Sequence, residues 1–255
     1  MNSIKFWNGN KSAARQSYEL ELLSHCLPSE IEVDNTDYLN AEDEGNIFTT
    51  GCDVLITVAG NVKFSDKDKI AINQPICKGL LGYRLLVIRR SSTYKFERLS
   101  SEEQLQKLSI GIPATWADAE LFRLNDYKVV EQGRLDDLFL RLQNKQFDYV
   151  ALGANEIESL YTQLAEPIGT LAIQSSILLY YPLPLIFYVN PKHHELSEKL
   201  KLGLNELIQS GKHQTLFDKH HGDVVERLNL SSRKLITLTN PHLPKALAGF
   251  TPEIF

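Results

Sequence analysis

The chain's candidate chemistry lies in four short polar loops and a few charged residues beside them. Trp7 leads into Asn8-Gly9-Asn10, and Ala59-Gly60-Asn61, Ala114-Thr115-Trp116 and Gly153-Ala154-Asn155 each follow an apolar run of strand length. Side-chain amides and backbone N–H groups in such turns suit hydrogen bonding to a small polar solute. Trp7 and Trp116 suit stacking on a flat or apolar part of it, and each is equally well read as a core or rim residue. Thr115-Trp116-Ala117-Asp118 reads as a capping box with Thr115 as the cap, and the free N–H groups of such a helix start receive an anion. Lys67, Arg84 and Glu156 are the nearby charges. Arg84 either reaches the solute or pairs with a surface acid, and Glu156 either reaches the solute or favours the start of a helix through its dipole.

Other reactive residue types lack the spacing that their chemistry demands. The histidines include two adjacent pairs, His193-His194 and His220-His221. Neighbours on a helix point about 100° apart and do not chelate a metal as i, i+4 pairs do. Cys26, Cys52 and Cys77 form no CxxC pair, so neither a zinc knuckle nor a redox motif is indicated. Cys26 and Cys52 could bridge in an oxidising compartment, but buried free thiols are the plainer reading. Asp136-Asp137 opens a helix and is read as facing solvent. No GxSxG, HExxH, GxGxxG or P-loop string occurs, so no metal and no cofactor is implied. Glu156 and Lys67 are the visible candidates for a general acid or base.

Composition narrows the class. A chain of 255 residues with 43% hydrophobic residues can bury a substantial core in one large domain or two smaller ones. The net charge of −5, with Lys and Arg dispersed, argues against a broad basic surface for nucleic acid. No apolar stretch approaches the ~20 residues that span a bilayer, and Pro182 and Pro184 interrupt the most apolar segment, 177–189. No signal peptide is visible, which leaves a cytoplasmic protein or one whose leader has been removed.

The elements that must position these residues alternate between strand and helix. Ile4 to Trp7 reads as a strand. The helix that follows, from Ser12 to Pro28, carries Ala14, Tyr18, Leu22 and Cys26 on one stripe. A strand at Ile31 to Val33, a short polar helix near 41–48 and a continuous apolar strand at 53–58 complete a first α/β set. A long strand, Tyr83 to Arg89, leads into a second set over about 91–182. Its helices are expected at 102–108, 115–124, 135–142 and 155–164, and its strands at 109–112, 127–130 and 148–152. A second long strand, 184–189, precedes a helix with Leu196, Leu200, Leu204 and Ile208 on one face and Leu207 beside them. Another apolar run follows at 235–238. Two long strands bracketing an inserted α/β unit predict two lobes joined by two crossings. Lobe 1 would comprise 1–88 and 186–255, and lobe 2 would comprise 89–185. Ligands in open α/β sheets gather at the carboxyl ends of strands, which places the four loops near one cleft.

Three stretches add a resemblance. They are Asp53 to Ile56 with Gln74-Pro75-Ile76-Cys77-Lys78-Gly79, Ile110 to Trp116 with Leu135-Asp136-Asp137-Leu138 and Gln146 to Val150, and 191–223 with its Leu-rich helix and Ser210-Gly211. In order and spacing they resemble the family 3 extracellular solute-binding proteins of bacterial amino-acid importers, over nearly the whole chain. The resemblance implies a two-lobed α/β fold of the type II periplasmic binding-protein kind, each lobe a mostly parallel sheet with flanking helices. It also implies a monomer that closes by hinge motion over a small polar ligand, amino-acid-like or a small organic anion, without catalysis. An ABC-type permease in the inner membrane would be the partner, and a periplasmic site with the leader removed the location. Family members hold an amino acid with a helix start, an Arg from the first lobe and an acid after the return strand of the second. Here the first-lobe stretch is Asp66-Lys67-Asp68-Lys69, without an Arg, and Gly153 stands where the acid is expected, with Asn155 and Glu156 beyond. An uncharged or singly charged polar ligand is therefore the better expectation. A stand-alone sensor of the same fold and a cyclohexadienyl-dehydratase-like enzyme are the alternatives.

Overall fold

A computed structural model describes residues 3–254. Its elements in chain order are β1 (Ile4–Trp7), α1 (Ala13–Cys26), β2 (Ile31–Asp34), α2 (Ala41–Gly45), β3 (Val54–Val58), β4 (Ile70–Ile72) and β5 (Tyr83–Arg89). There follow α3 (Thr93–Glu97), α4 (Glu102–Gln106), β6 (Ser109–Ile112), α5 (Asp118–Leu124), β7 (Lys128–Glu131), α6 (Leu135–Gln143), β8 (Tyr149–Gly153) and α7 (Ile157–Leu160). The last are β9 (Leu171–Ile173), β10 (Ile177–Tyr180), β11 (Leu185–Val189), α8 (His194–Gln209), α9 (Lys212–His221), α10 (Val224–Arg227) and β12 (Lys234–Thr237). Among the described residues no helix is long and apolar enough to cross a membrane.

The chain divides into two compact units. Unit 1 comprises 3–78, 184–223 and 242–250, and unit 2 comprises 79–183, 224–241 and 251–254. These bounds differ from the expected lobes where strand pairing decides membership. β5 pairs with β8, β9 and β10, so it lies inside the sheet of unit 2. Residues 224–241 join the same unit because β12 pairs in parallel with β10.

In unit 1 the strand order is β2-β1-β3-β11-β4. β1 runs parallel to β2 and β3, while β11 runs antiparallel to β3 and β4. The sheet is mixed, because the second long strand enters it in the reverse direction. The Ser12 hydroxyl accepts from the Arg15 N–H and caps α1, which buries Tyr18, Leu22, Leu23 and Cys26. α8 buries Leu200, Leu204 and Leu207, but Ile208 stays 39% exposed. Each step of four residues gains about 40° on a helix of 3.6 residues per turn, so two steps from Leu200 carry Ile208 about 80° round from it, to the edge of the buried face. Cys26, Cys52 and Cys77 are buried and form no disulfide among the described residues, all three in unit 1. Burial pushes the Cys26 and Cys52 thiols up to about 12.

In unit 2 the order is β12-β10-β5-β8-β6-β7, with β9 also on β5. β6, β7 and β8 run parallel, and β5 runs antiparallel to β8 and β10. Leu138, Phe139 and Leu142 form the buried face of α6, and Asp136 and Asp137 are exposed. The helix expected at 155–164 is four residues of α7 continued as a π turn over Tyr161–Ala165.

Candidate functional site

In unit 2, antiparallel pairing sets Arg84, at the start of β5, opposite Gly153, at the carboxyl end of β8. β6 runs parallel to β8, so the 113–117 connection leaves the sheet at this same end. Arg84 is 2% exposed, a large cost for a guanidinium unless it is paired. Its Nη2 donates to the Asp118 carboxylate at 2.7 Å, and its Nη1 lies 3.7 Å from the Glu156 carboxylate. The Tyr181 ring sits 5.4 Å from the guanidinium carbon, and the Tyr181 hydroxyl donates to Asp118. Burial opposes the Arg84 charge, but Asp118, Tyr181 and Glu156 hold its pKa above the ordinary value. Burial also raises the Tyr181 phenol well above its ordinary value, so it stays protonated and donates. Gly153 leaves the room this requires, since a Cβ there would press on the Asn155 amide and the Arg84 Nη1. Arg84 Nε and Asn155 Oδ1 are buried without a hydrogen-bond partner among the described residues. The cluster sets two carboxylates against one guanidinium, and Asp118, at 15% exposure, is the acid nearer the surface.

The expected anion-binding helix start is not formed. Thr115 takes a left-handed φ of 69° and its N–H donates to Glu131, so it cannot cap a helix. α5 begins at Asp118 after Ala117, without a side-chain cap. The residue at the end of the expected capping box is instead the partner of Arg84. Ala114 is exposed, and Thr115 and Trp116 are half-buried on the β6–α5 connection.

In unit 1 the end of β1 holds Trp7, and the loops after β1 and β3 hold Asn8, Asn10, Ala59, Gly60 and Asn61, mostly in internal bonds. The Trp7 indole N–H donates to Thr36 O at 2.9 Å, and the Asn8 amide donates to Gln16 O at 3.0 Å. Asn10, at φ 54°, exchanges bonds with the Tyr38 backbone and donates to Glu44 at 2.8 Å. The Asn61 amide donates to the Thr57 hydroxyl at 2.8 Å. Behind these loops Lys11 is buried, with its Nζ 2.5 Å from Glu19 and 5.7 Å from the Trp7 ring. Burial lowers the Lys11 pKa below its ordinary value, against the opposing pull of Glu19. Arg15 also bonds Glu19 at 2.8 Å, and Lys63 pairs with Glu44 at 2.7 Å. Lys67 joins none of this, being one-third exposed and 3.8 Å from Asp66.

Sequence reasoning missed Lys11, Glu19, Glu44 and Tyr181, and read Asp118 only as the end of a capping box. Glu19 carried a signal, an acid beside Tyr18 on the apolar side of α1 and four residues after Arg15. Tyr181 lay inside the Pro-interrupted apolar segment, where a strand end was not read.

No protein-family model matches the chain. No curated protein matches it in sequence. Solved structures do share its architecture. An ancestral arginine-binding protein bound to glutamine is 15% identical, with a TM-score of 0.64 over 87% of this chain and 99% of that one. An arginine transport-system periplasmic binding protein from Legionella pneumophila is 15% identical, with a TM-score of 0.62 over 86% and 100%. A histidine kinase sensor domain with similarity to periplasmic binding proteins is also 15% identical, at 0.64 over 87% and 96%. The likeness is one of fold. The two-sheet α/β architecture is that of the two-lobed periplasmic binding proteins.

Proposed function

We propose that this chain is a solute-binding protein that takes a small polar ligand, amino-acid-like or a small organic anion, and delivers it to an ABC-type permease as a periplasmic monomer. The observation that carries this reading is the Arg84–Asp118–Glu156 cluster, held at strand ends where α/β sheets recruit ligands. A guanidinium backed by two acids and an orphaned amide oxygen is an arrangement for a solute bearing both a donor and an acceptor. Ala114, Thr115, Trp116 and Asp118 are the surface members that would meet it, with Gly153 and Asn155 behind. Catalysis is not part of this reading. Glu156 is engaged by Arg84 and Lys67 sits beside Asp66, so neither stands as an open general acid or base.

Melting temperature against a panel of amino acids, small carboxylates, sugars and polyamines tests this function. A ligand at a hundred times its dissociation constant stabilises by roughly 2.7 kcal/mol, a rise of about 5–10 °C for a chain of this size. The expected outcome is a rise with one solute class, abolished by Asp118→Asn. A flat panel would remove the reading. Sensing is the second reading, favoured by the fold shared with a kinase sensor domain. Uptake of the bound solute by a reconstituted amino-acid permease separates the two.

A further inference from the structure

In unit 1, β4 is the last strand of its sheet, so one edge of its backbone has no strand beside it. Such an edge is a template for another extended chain. Here it borders a cavity of about 410 Å³ between β4 and α8, within the size range of small-ligand sites. Every residue that lines the cavity belongs to unit 1. Ile70 and Ile72 give it an apolar wall. The Gln74 amide donates to Asn205 Oδ1 at 3.0 Å and ties the end of β4 to α8. Glu198 and Lys201, both exposed and about one turn apart on α8, complete the lining. Lys199 of the same helix pairs with Glu195 at 2.7 Å, but Glu198 and Lys201 enter no ion pair among the described residues. Two opposite charges thus stand beside an open strand edge, and neither is neutralised by the chain.

We propose that this groove binds a short peptide with free ends, added to β4 as an extra strand, its ammonium at Glu198 and its carboxylate at Lys201. Backbone hydrogen bonds to the strand edge supply affinity, and the two side chains supply charge-assisted bonds at the ends. β4 has only three residues, which suits a peptide of about that length rather than a long strand. The groove lies within unit 1, whereas the Arg84 cluster lies within unit 2, and the proposal does not depend on the function proposed above. The full chain is titrated with tri-alanine at millimolar concentrations, and backbone amide chemical shifts are followed. The expected result is saturable shifts at 70–74 and 197–205. Affinity should fall about tenfold in Lys201→Met and in Glu198→Gln, and stay unchanged in Asp118→Asn. Both helix residues are exposed, so these variants keep the fold. Two control ligands separate the parts of the site. N-acetyl-tri-alanine amide has no charged end, and 8-aminooctanoate has both ends at the same spacing along the chain but no peptide groups. Each should bind more weakly than tri-alanine by about tenfold or more. Absence of shifts at 70–74 overturns the proposal. So does equal binding of either control, since the charges or the strand edge would then be unused. Shifts confined to the neighbours of Arg84, Asp118 and Glu156 also overturn the groove, and they leave the solute-binding reading standing.

Discussion

The two units treat the ends of their strands differently. In unit 1 the loops after β1 and β3 are closed over by residues 36–38 and 242–250, and the buried cation Lys11 is neutralised behind them by Glu19. In unit 2 the charges stand at the strand ends themselves, with Arg84 drawing Asp118 and Glu156 to the mouth of the sheet. The same residue types thus lie behind the loops in one unit and at the strand ends in the other. What separates them is the place of the ion pair relative to the loops, not the presence of buried charge.

Removing the cation of unit 2 breaks this comparison most severely. Arg84→Met leaves Asp118 and Glu156 without their counter-charge and should cost about 3–5 kcal/mol. Hydrogen exchange should show the loss concentrated in β5 and β8. Equal loss in unit 1 would mean that the two ends are not independent.

Glu19→Gln is the matching test in unit 1, expected to cost about 3 kcal/mol by stranding Lys11. Its pH dependence sharpens the point. The Lys11 pKa is lower folded than unfolded, so between the folded value and 10.5 the unfolded chain binds more protons and stability rises with pH. Without Glu19 the folded value falls further, and the rise should begin at lower pH. A urea midpoint that stays flat with pH in the variant would refute this account of Lys11.

The smallest effect belongs to Lys67→Gln. A one-third exposed lysine 3.8 Å from an exposed aspartate should contribute under about 0.5 kcal/mol, measured by the same urea midpoint. Its solute affinity should match that of wild type. A drop would bring Lys67 into the site after all.

Periodicity and turn residues made most elements legible, among them Ser12 as the start of α1, the apolar run of β3 and the Leu-rich face of α8. Short strands were not. β4 and β9 have three residues each, and β10 lies in the apolar stretch 177–189 that Pro182 and Pro184 interrupt. At the site, Arg84 and Glu156 could be named from their neighbourhoods. Their pairing could not, because it depends on the cross-strand register that faces Arg84 with Gly153. The Thr115 reading went astray for a local reason, since a capping motif describes a helix only if its first residue takes an extended backbone, and Thr115 does not.

The place of β11 has a consequence for how the chain is made. β11 lies between β3 and β4, with Ile186 opposite Thr57. On a ribosome adding about 5–20 residues per second, β3 therefore waits roughly 6–25 s for the neighbour that completes its ladder. During that interval an apolar strand with an open edge is exposed to other nascent chains. High contact order makes the β3–β11 pairing the slow event of folding and the stage at which a chaperone has most to protect.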